Sequence, residues 1–111
     1  GTKNLEACAA LMEQVDAFYK AGKYIGAICA APSILGHRGM LKGRKACSFP
    51  SFESHLEGAE VVKEPAQIAG NIITGRGMGC AVDFGLAIVE KLQGKGQAAA
   101  LAERVVYGHY K

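Results

Sequence analysis

The sequence contains no tryptophan, only three prolines, and no apolar stretch long enough to cross a membrane as a helix. Lys, Arg, Asp, Glu or Gly interrupts each hydrophobic run well before the about 18 residues that such a helix needs. The formal net charge is only +3 and the basic residues are scattered, so neither nucleic acid nor a membrane is indicated as a partner. Half of the residues are hydrophobic, which at this low net charge excludes an intrinsically disordered chain.

Cysteine is present, but not in the patterns that bind metal. The four cysteines (Cys8, Cys29, Cys47 and Cys80) form no C-x-x-C pair and have no histidine at metal-ligand spacing. The sequence therefore predicts no metal site. The first residues do not resemble a secretion signal, so we expect a cytoplasmic protein with free thiols. Cys8, Cys47 and Cys80 are expected to pack as small apolar residues.

Helical and strand patterns alternate along the first third of the chain. Apolar residues at i, i+3, i+4 and i+7 predict an amphipathic helix over residues 4–21, which Gly22 would end in a left-handed conformation. The run over residues 24–28 is apolar without alternation, which is typical of a strand that is covered on both faces. Pro32 then suits the first turn of a short helix over residues 30–35.

The rest of the chain predicts shorter elements. We expect a strand over 46–48, helical turns over 51–56, a strand over 60–63, a turn or hairpin over 65–70, a strand over 71–74, and helices over about 80–92 and 97–106. The helix over 80–92 is expected to bury Val82, Leu86, Val89 and Leu92. The basic segment 36–45 is expected to be a solvated connection, and the glycine-rich segment 75–79 a flexible loop.

This order of elements indicates an α/β domain with a mostly parallel sheet. Only one fully buried strand comes early, however, and a doubly wound domain comfortably has about 150–200 residues. We therefore expect residues 1–111 to be the C-terminal portion of a single larger domain.

Cys29 stands where the buried strand ends and the next helix begins, a position that suits a nucleophile. Such a side chain projects from the carboxyl edge of the sheet, close to the backbone N–H groups that begin the following helix. These groups stabilise a thiolate or an oxyanion, and the thiolate is the reactive form of cysteine. The small neighbours Ala30 and Ala31 leave room for a tight turn. An ordinary buried thiol is the alternative interpretation, and position alone does not decide between the two.

Several segments together resemble the ThiJ/PfpI family in its DJ-one branch. They are 27–32 (Ala-Ile-Cys-Ala-Ala-Pro), which resembles the nucleophile elbow of that family, 58–62 (Gly-Ala-Glu-Val-Val), 70–74 (Gly-Asn-Ile-Ile-Thr), 76–77 (Arg-Gly) and 83–87 (Asp-Phe-Gly-Leu-Ala). Residues 1–5 resemble the stretch that follows the Gly-Gly oxyanion turn of the family. The likeness covers essentially the whole chain.

The resemblance implies a flavodoxin-like sandwich of three layers, usually a homodimer, that needs no metal or organic cofactor. In it Cys29 is the nucleophile, the Ala30 N–H contacts the oxyanion, and Phe49, Gly77 and Met78 lie near the substrate. The resemblance also implies that the N-terminal portion of the domain is missing from this chain. That portion carries a Glu that contacts the reactive Cys and the Gly-Gly turn, and the same chain or a separate chain would supply it.

Three positions depart from the family. Hydrolase branches of the superfamily follow the Cys with His, where this chain has Ala30, and some members of the DJ-one branch have His before Pro, where it has Phe49. Neither residue transfers a proton, so proteolysis and amidotransfer, which use such a base, are not expected. Met78 stands where the branch usually has Pro, which affects the shape of the pocket.

The resemblance favours a cysteine-dependent glyoxalase or deglycase that acts on methylglyoxal and similar small carbonyls through a hemithioacetal at Cys29. The alternative is a non-enzymatic, redox-responsive chaperone of oxidative stress in which Cys29 is oxidised to a sulfinic acid. A third is the thiamine-biosynthesis role with which the family is labelled, although no residue supports a thiazole site. The histidines His37, His55 and His109 are interpreted as surface residues. The segment 75–79 matches no nucleotide-binding motif.

Overall fold

Five helices and five short strands follow one another along residues 1–111, all of which the structure, a computed structural model, describes. The helices are α1 (Thr2–Glu6), α2 (Ala9–Lys20), α3 (Pro32–His37), α4 (Ala81–Gln93) and α5 (Lys95–Arg104). The strands are β1 (Ile25–Ile28), β2 (Lys45–Ala46), β3 (Glu60–Val61), β4 (Ala66–Ala69) and β5 (Ile72–Gly75), and Pro50–His55 and Met78–Cys80 are 3-10 helices. None of the helices has the length and apolar character needed to cross a membrane.

The strands form two small sheets. In the main sheet the order is β1-β5-β4, with β1 and β5 parallel and β4 and β5 joined as an antiparallel hairpin. Strands β2 and β3 form a separate parallel pair. The segment 65–70, predicted as a turn or hairpin, is mostly the additional strand β4, which forms the first arm of a hairpin with β5. Strand β1, which was predicted to be covered on both faces, lies at the edge of the main sheet, so one of its edges has no partner strand.

The main sheet separates two layers of helices. One face packs on a buried cluster formed by Ala27, Leu35, Met40, Leu41, Ala46, Leu56 and Ile72. Helix α2 covers this cluster through Val15 and Tyr19. The opposite face carries Gly26 and Gly75, where helix α4 approaches so closely that a Cβ at Gly26 would lie 3.2 Å from the ring of Phe84. Helix α5 packs against α4. This three-layer arrangement confirms the predicted α/β class.

The helix predicted over residues 4–21 is two helices. The chain leaves helical geometry at Cys8, whose φ of −83° and ψ of 102° are extended, and the change of direction lets α2 bury Met12. Leu5 is 47% exposed and Cys8 is also exposed, so the prediction that Cys8 packs as an apolar residue is wrong. Gly22, with a φ of +71°, follows the end of α2 as predicted.

Helix α4 buries a different face from the predicted one. Leu86 is buried, but Val82 and Leu92 are 45% and 56% exposed. Phe84 faces the sheet instead, because Gly26 and Gly75 leave a depression that accepts an aromatic ring. The buried face of α4 is therefore rotated relative to the predicted one, because the sequence of the helix does not show where the sheet has a depression.

The basic segment 36–45 is not a fully solvated connection. Helix α3 continues to His37, and Met40 and Leu41 are buried in the core cluster. Lys42 and Lys45 remain exposed, so part of the segment follows the prediction. The other predicted elements are present, with bounds that differ by one or two residues.

Gly36 lies where α3 meets the end of the first 3-10 helix. A Cβ at Gly36 would lie 2.2 Å from the carbonyl oxygen of His55 and 2.9 Å from the Cα of Leu56. We expect Gly36→Ala to lower the free energy of unfolding by about 3 kcal/mol or more, because two backbone segments must move apart. The matched control is Gly85→Ala in α4, where no atom lies within 4 Å of the Cβ position. It should raise the free energy of unfolding by about 0.5–1 kcal/mol.

Chemical unfolding of both glycine variants would measure the two effects. The host should be a polypeptide that includes the segment expected before Gly1. Equal stabilities of the two variants would contradict the close approach of α3 to the 3-10 helix.

Two tyrosines attach the C-terminal tail to α4. The Tyr107 hydroxyl donates to Asp83 at 2.6 Å, and the Tyr110 hydroxyl donates to Glu90 at 2.7 Å. The hydrogen bond to the Asp83 carboxylate raises the pKa of Tyr107 to about 12. Partial burial, followed by the hydrogen bond to Glu90, raises the pKa of Tyr110 to about 12.

Release of the tail at alkaline pH follows from these values. Both folded-state pKa values lie above the ordinary tyrosine value of about 10. The tail contacts therefore contribute stability that is complete below pH 10 and is lost as the pH rises through about 12. In an absorbance titration of tyrosinate, Tyr107→Phe and Tyr110→Phe should each remove one group that titrates near pH 12. Titration of both groups at the ordinary value would contradict the tail contacts.

Candidate active site

The chain makes a strained turn at Cys29, directly after β1. Cys29 has a φ of +66°, a left-handed value that costs a non-glycine residue about 1–3 kcal/mol. Its N–H donates to the Gly75 carbonyl at 3.0 Å, and its carbonyl accepts from the Phe49 N–H at 2.8 Å. Two hydrogen bonds from neighbouring segments therefore hold the strained residue in place. Cys29 itself is partly exposed. Strain of this kind is typical of a nucleophile elbow.

The residue after Cys29 offers an unused backbone donor. The Ala31 N–H donates to Ile28, and the Ser33 N–H and hydroxyl both donate to the Ala30 carbonyl, at 3.0 and 2.6 Å. The Ala30 N–H has no acceptor within the described chain. A free N–H beside a thiol can donate a hydrogen bond to an oxyanion and so stabilise its negative charge.

The three predicted substrate-binding residues are not equally close to the elbow. The backbone N–H of Phe49 donates a hydrogen bond to the Cys29 carbonyl, and Phe49 is 45% exposed. Gly77 lies against Phe49, because a Cβ at Gly77 would be 3.7 Å from its ring. Met78, in contrast, is 91% exposed. The structure thus brings Phe49 and Gly77 together beside the elbow and leaves Met78 in solvent.

A pair of charged residues near the elbow was not found from the sequence. Glu53 and Arg76 approach to 3.7 Å between the carboxylate Oε2 and the guanidinium Nη2. Arg76 follows Gly75, whose carbonyl accepts a hydrogen bond from the Cys29 N–H. Glu53 belongs to the 3-10 helix that follows Phe49. The sequence could have suggested this pair only through the order of the elements, because Glu53 and Arg76 each lie a few residues from a segment that contacts the elbow.

Comparison with known proteins identifies the family. A sequence profile described as the DJ-1/PfpI family matches residues 1–91. The chain belongs to the DJ-1/PfpI family. Its similarity to solved DJ-1 structures also establishes the flavodoxin-like fold. The oxidized DJ-1 of Toxoplasma gondii matches 98% of this chain and 60% of that one, with a TM-score of 0.89 and 30% identity.

Curated relatives include a DJ-1 homologue and a protein that is named as a glyoxalase. The chain is 39% identical over 85 residues to Protein DJ-1 homolog B of Arabidopsis thaliana, covering 76% of this chain and 19% of that protein. It is 34% identical over 95 residues to the glutathione-independent glyoxalase DJR-1.2 of Caenorhabditis elegans, covering 85% and 51%. The chain therefore spans about half or less of the length of these relatives.

The other thiols of this DJ-1/PfpI chain differ from Cys29 in their surroundings. Cys47 is buried as predicted, and burial raises the pKa of its thiol. Its N–H donates to the Thr74 hydroxyl at 3.0 Å, which ties the second sheet to β5. Cys80 is partly buried and Cys8 is exposed. Only Cys29 combines access to solvent with a left-handed backbone.

Two of the histidines meet outside the elbow of the DJ-1/PfpI fold. His37 and His55 are exposed, as predicted, but their Nε2 and Nδ1 atoms are 2.9 Å apart, and His37 Nδ1 lies 2.6 Å from Glu6. His109 stacks edge-on against Tyr107 in the tail. None of these contacts involves Cys29.

No group of three or more His, Cys, Asp or Glu side chains is arranged to hold a metal ion. A groove of about 430 Å³ lies between the tail and β4, lined by Glu64, Asp83, Glu90 and Lys111 among others. It does not include Cys29 and is not the candidate active site. The candidate active site is the elbow at Cys29, because a strained backbone, an accessible thiol and a free backbone N–H occur together there.

Proposed function

We propose that this protein is a cysteine-dependent glyoxalase that acts on methylglyoxal and related small carbonyls, with Cys29 as the nucleophile. The left-handed φ of Cys29 is the observation that carries the proposal, because a strained non-glycine residue at a strand end is expected only where it serves a purpose. The relative named as a glutathione-independent glyoxalase supports the same chemistry. Deglycase activity on early carbonyl adducts would use the same first step.

The reaction begins with addition of the Cys29 thiolate to the aldehyde carbon. A C–S bond forms, the π electrons of the carbonyl move to oxygen, and protonation gives a hemithioacetal. The free Ala30 N–H is positioned to hold the oxyanion as it develops. Transfer of hydrogen from C1 to C2 of methylglyoxal then gives a thioester, and water releases lactate and the thiol. The rearrangement is internally balanced and requires no external oxidant.

A carboxylate, and not a histidine, is proposed to move the proton. Ala30 and Phe49 occupy the two positions where relatives carry a histidine, and neither side chain titrates. His37 and His55 contact Glu6 and each other instead. The carboxylate is proposed to be a Glu in a segment that would precede Gly1 in a complete domain, and this chain is proposed to be the C-terminal portion of that domain. A homodimer is proposed as the assembly.

Lactate production tests the proposal. A polypeptide that carries the complete domain, incubated with methylglyoxal and without glutathione, should release lactate in catalytic amounts. Absence of lactate above the rate of buffer alone would overturn the glyoxalase assignment.

A redox response is the second candidate function, favoured by the partial exposure of Cys29. The Toxoplasma gondii DJ-1 that this chain resembles is oxidized, which is compatible with such a response. We expect dilute peroxide to oxidise Cys29 before the other thiols, since Cys47 is buried and the remaining two lie outside an elbow. Peptide mass spectrometry would locate the product. Preferential oxidation of the exposed Cys8 would count against the assignment of Cys29.

A further inference from the structure

Glu53 and Arg76 form an ion pair in which each side chain has an atom without a hydrogen-bond partner. Their closest charged atoms are 3.7 Å apart, and the two side chains are only 23% and 27% exposed. The Oε2 atom of Glu53 and the Nε atom of Arg76 are both buried and have no hydrogen-bond partner. A pair on an open surface would be satisfied by water. This pair is instead partly buried between two segments of the chain, so the loss of either charge would leave the other less well compensated.

The pair closes a ring of contacts around Cys29. The ring runs from the Cys29 carbonyl to the Phe49 N–H at 2.8 Å, and from the Phe49 carbonyl to the Phe52 N–H at 2.8 Å. Glu53 follows directly and reaches Arg76. From Arg76 the chain returns to Gly75, whose carbonyl accepts from the Cys29 N–H at 3.0 Å. The ion pair is the one side-chain contact in this ring, and the other contacts are backbone hydrogen bonds.

We propose that Glu53 and Arg76 are positioning residues that hold the Cys29 elbow in its strained conformation by locking the segment 48–55 to the segment 76–79. A residue at φ +66° relaxes unless its surroundings over-determine it. The regular structure of the two segments is limited to the 3-10 helices Pro50–His55 and Met78–Cys80, and neither segment belongs to a sheet, so their own secondary structure does not fix their spacing. The ion pair supplies the missing constraint. The kinetic part of the proposal rests on the proposed function, but the positioning role itself does not.

The test measures alkylation of Cys29 by iodoacetamide at pH 7, which needs no carbonyl substrate. The host is a polypeptide that carries the complete domain, and mass spectrometry quantifies the modified peptide. Glu53→Gln keeps the shape and removes the charge, and Arg76→Gln removes the charge and shortens the side chain. Each should lower the rate by about tenfold, as expected for two groups coupled in one network. Asp16→Asn is the matched control, because it breaks the exposed Asp16–Arg38 ion pair away from the elbow. It should leave the rate unchanged.

Three further results distinguish positioning from simple stabilisation. The double variant Glu53→Gln/Arg76→Gln should lose less than the product of the single effects, because no lone charge is left behind. Arg76→Lys should recover part of the rate, since it restores the charge. If lactate is formed, kcat should fall in the single variants with little change in KM. Circular dichroism and a melting curve of each variant confirm that it is folded.

The proposal is overturned if folded single variants alkylate at the parent rate, or if Asp16→Asn slows alkylation as much as they do. If the single variants slow alkylation as expected but no protein in the series forms lactate, the glyoxalase function is overturned and the positioning role stands. The two failures are therefore distinguishable.

Discussion

Cys29→Ala is expected to lower methylglyoxal turnover by at least about a thousandfold in the complete domain, because removal of a covalent nucleophile leaves only binding and oxyanion contacts. No other nucleophile in the chain lies at a strained strand end. Cys29 also contributes little to the core, so the variant should remain folded. Lactate release and a melting curve, measured together, separate lost chemistry from lost structure.

Matched variants show whether the effect is specific. Cys8→Ala removes an exposed thiol and should leave turnover within a few-fold, as should single changes of His37, His55 or His109 to Ala. Removal of a general base typically costs about 10²–10⁴ in rate, so a histidine that moved the proton would be recognised at once. Near-normal turnover in Cys29→Ala, or its loss in one histidine variant, would refute the Cys–Glu mechanism.

Residues 1–111 alone are expected not to form a stable monomer. The outer edge of β1 carries no partner strand, although this strand leads directly into the elbow. Only 21 of the 111 residues are buried. The accessible surface of 6580 Å² also exceeds the about 5,800 Å² typical of a compact monomer of this mass. An apolar strand with an unpaired edge favours association with other chains.

Size-exclusion chromatography and thermal unfolding would decide this point. The isolated chain should elute as aggregates or unfold without a sharp transition. Addition of the segment expected before β1, in the same chain or as a separate one, should restore a cooperative transition. A sharp transition from a monomer of residues 1–111 would show instead that the free edge is tolerated.

The position of the elbow could be predicted from the sequence because its determinants are local. An apolar run ends at Cys29, two alanines follow, and Pro32 starts α3. Each of these constraints acts within a few residues, and the structure adds the left-handed φ that they permit. The family likewise follows from short segments whose order along the chain is fixed.

The inward face of α4 and the break between α1 and α2 were not predictable in the same way. A helical repeat of apolar residues shows that a helix is amphipathic. Which of its side chains are buried also depends on the shape of the surface on which the helix packs, and other segments form that surface. Gly26 and Gly75 belong to two different strands, and only their pairing places both under Phe84. Burial of Met40 and Leu41 within a basic segment has the same origin.

The sequence by itself determined that the chain is an α/β domain of the DJ-1/PfpI family with a thiol at a strand end, since these features depend on neighbours along the chain. The tertiary structure alone decided which charges meet. Glu53 reaches Arg76, and Glu6, His37 and His55 form a chain of contacts, although these residues are far apart in sequence. Side-chain pairs of this kind depend on how β5, α3 and the 3-10 helix pack, and no local pattern encodes that packing.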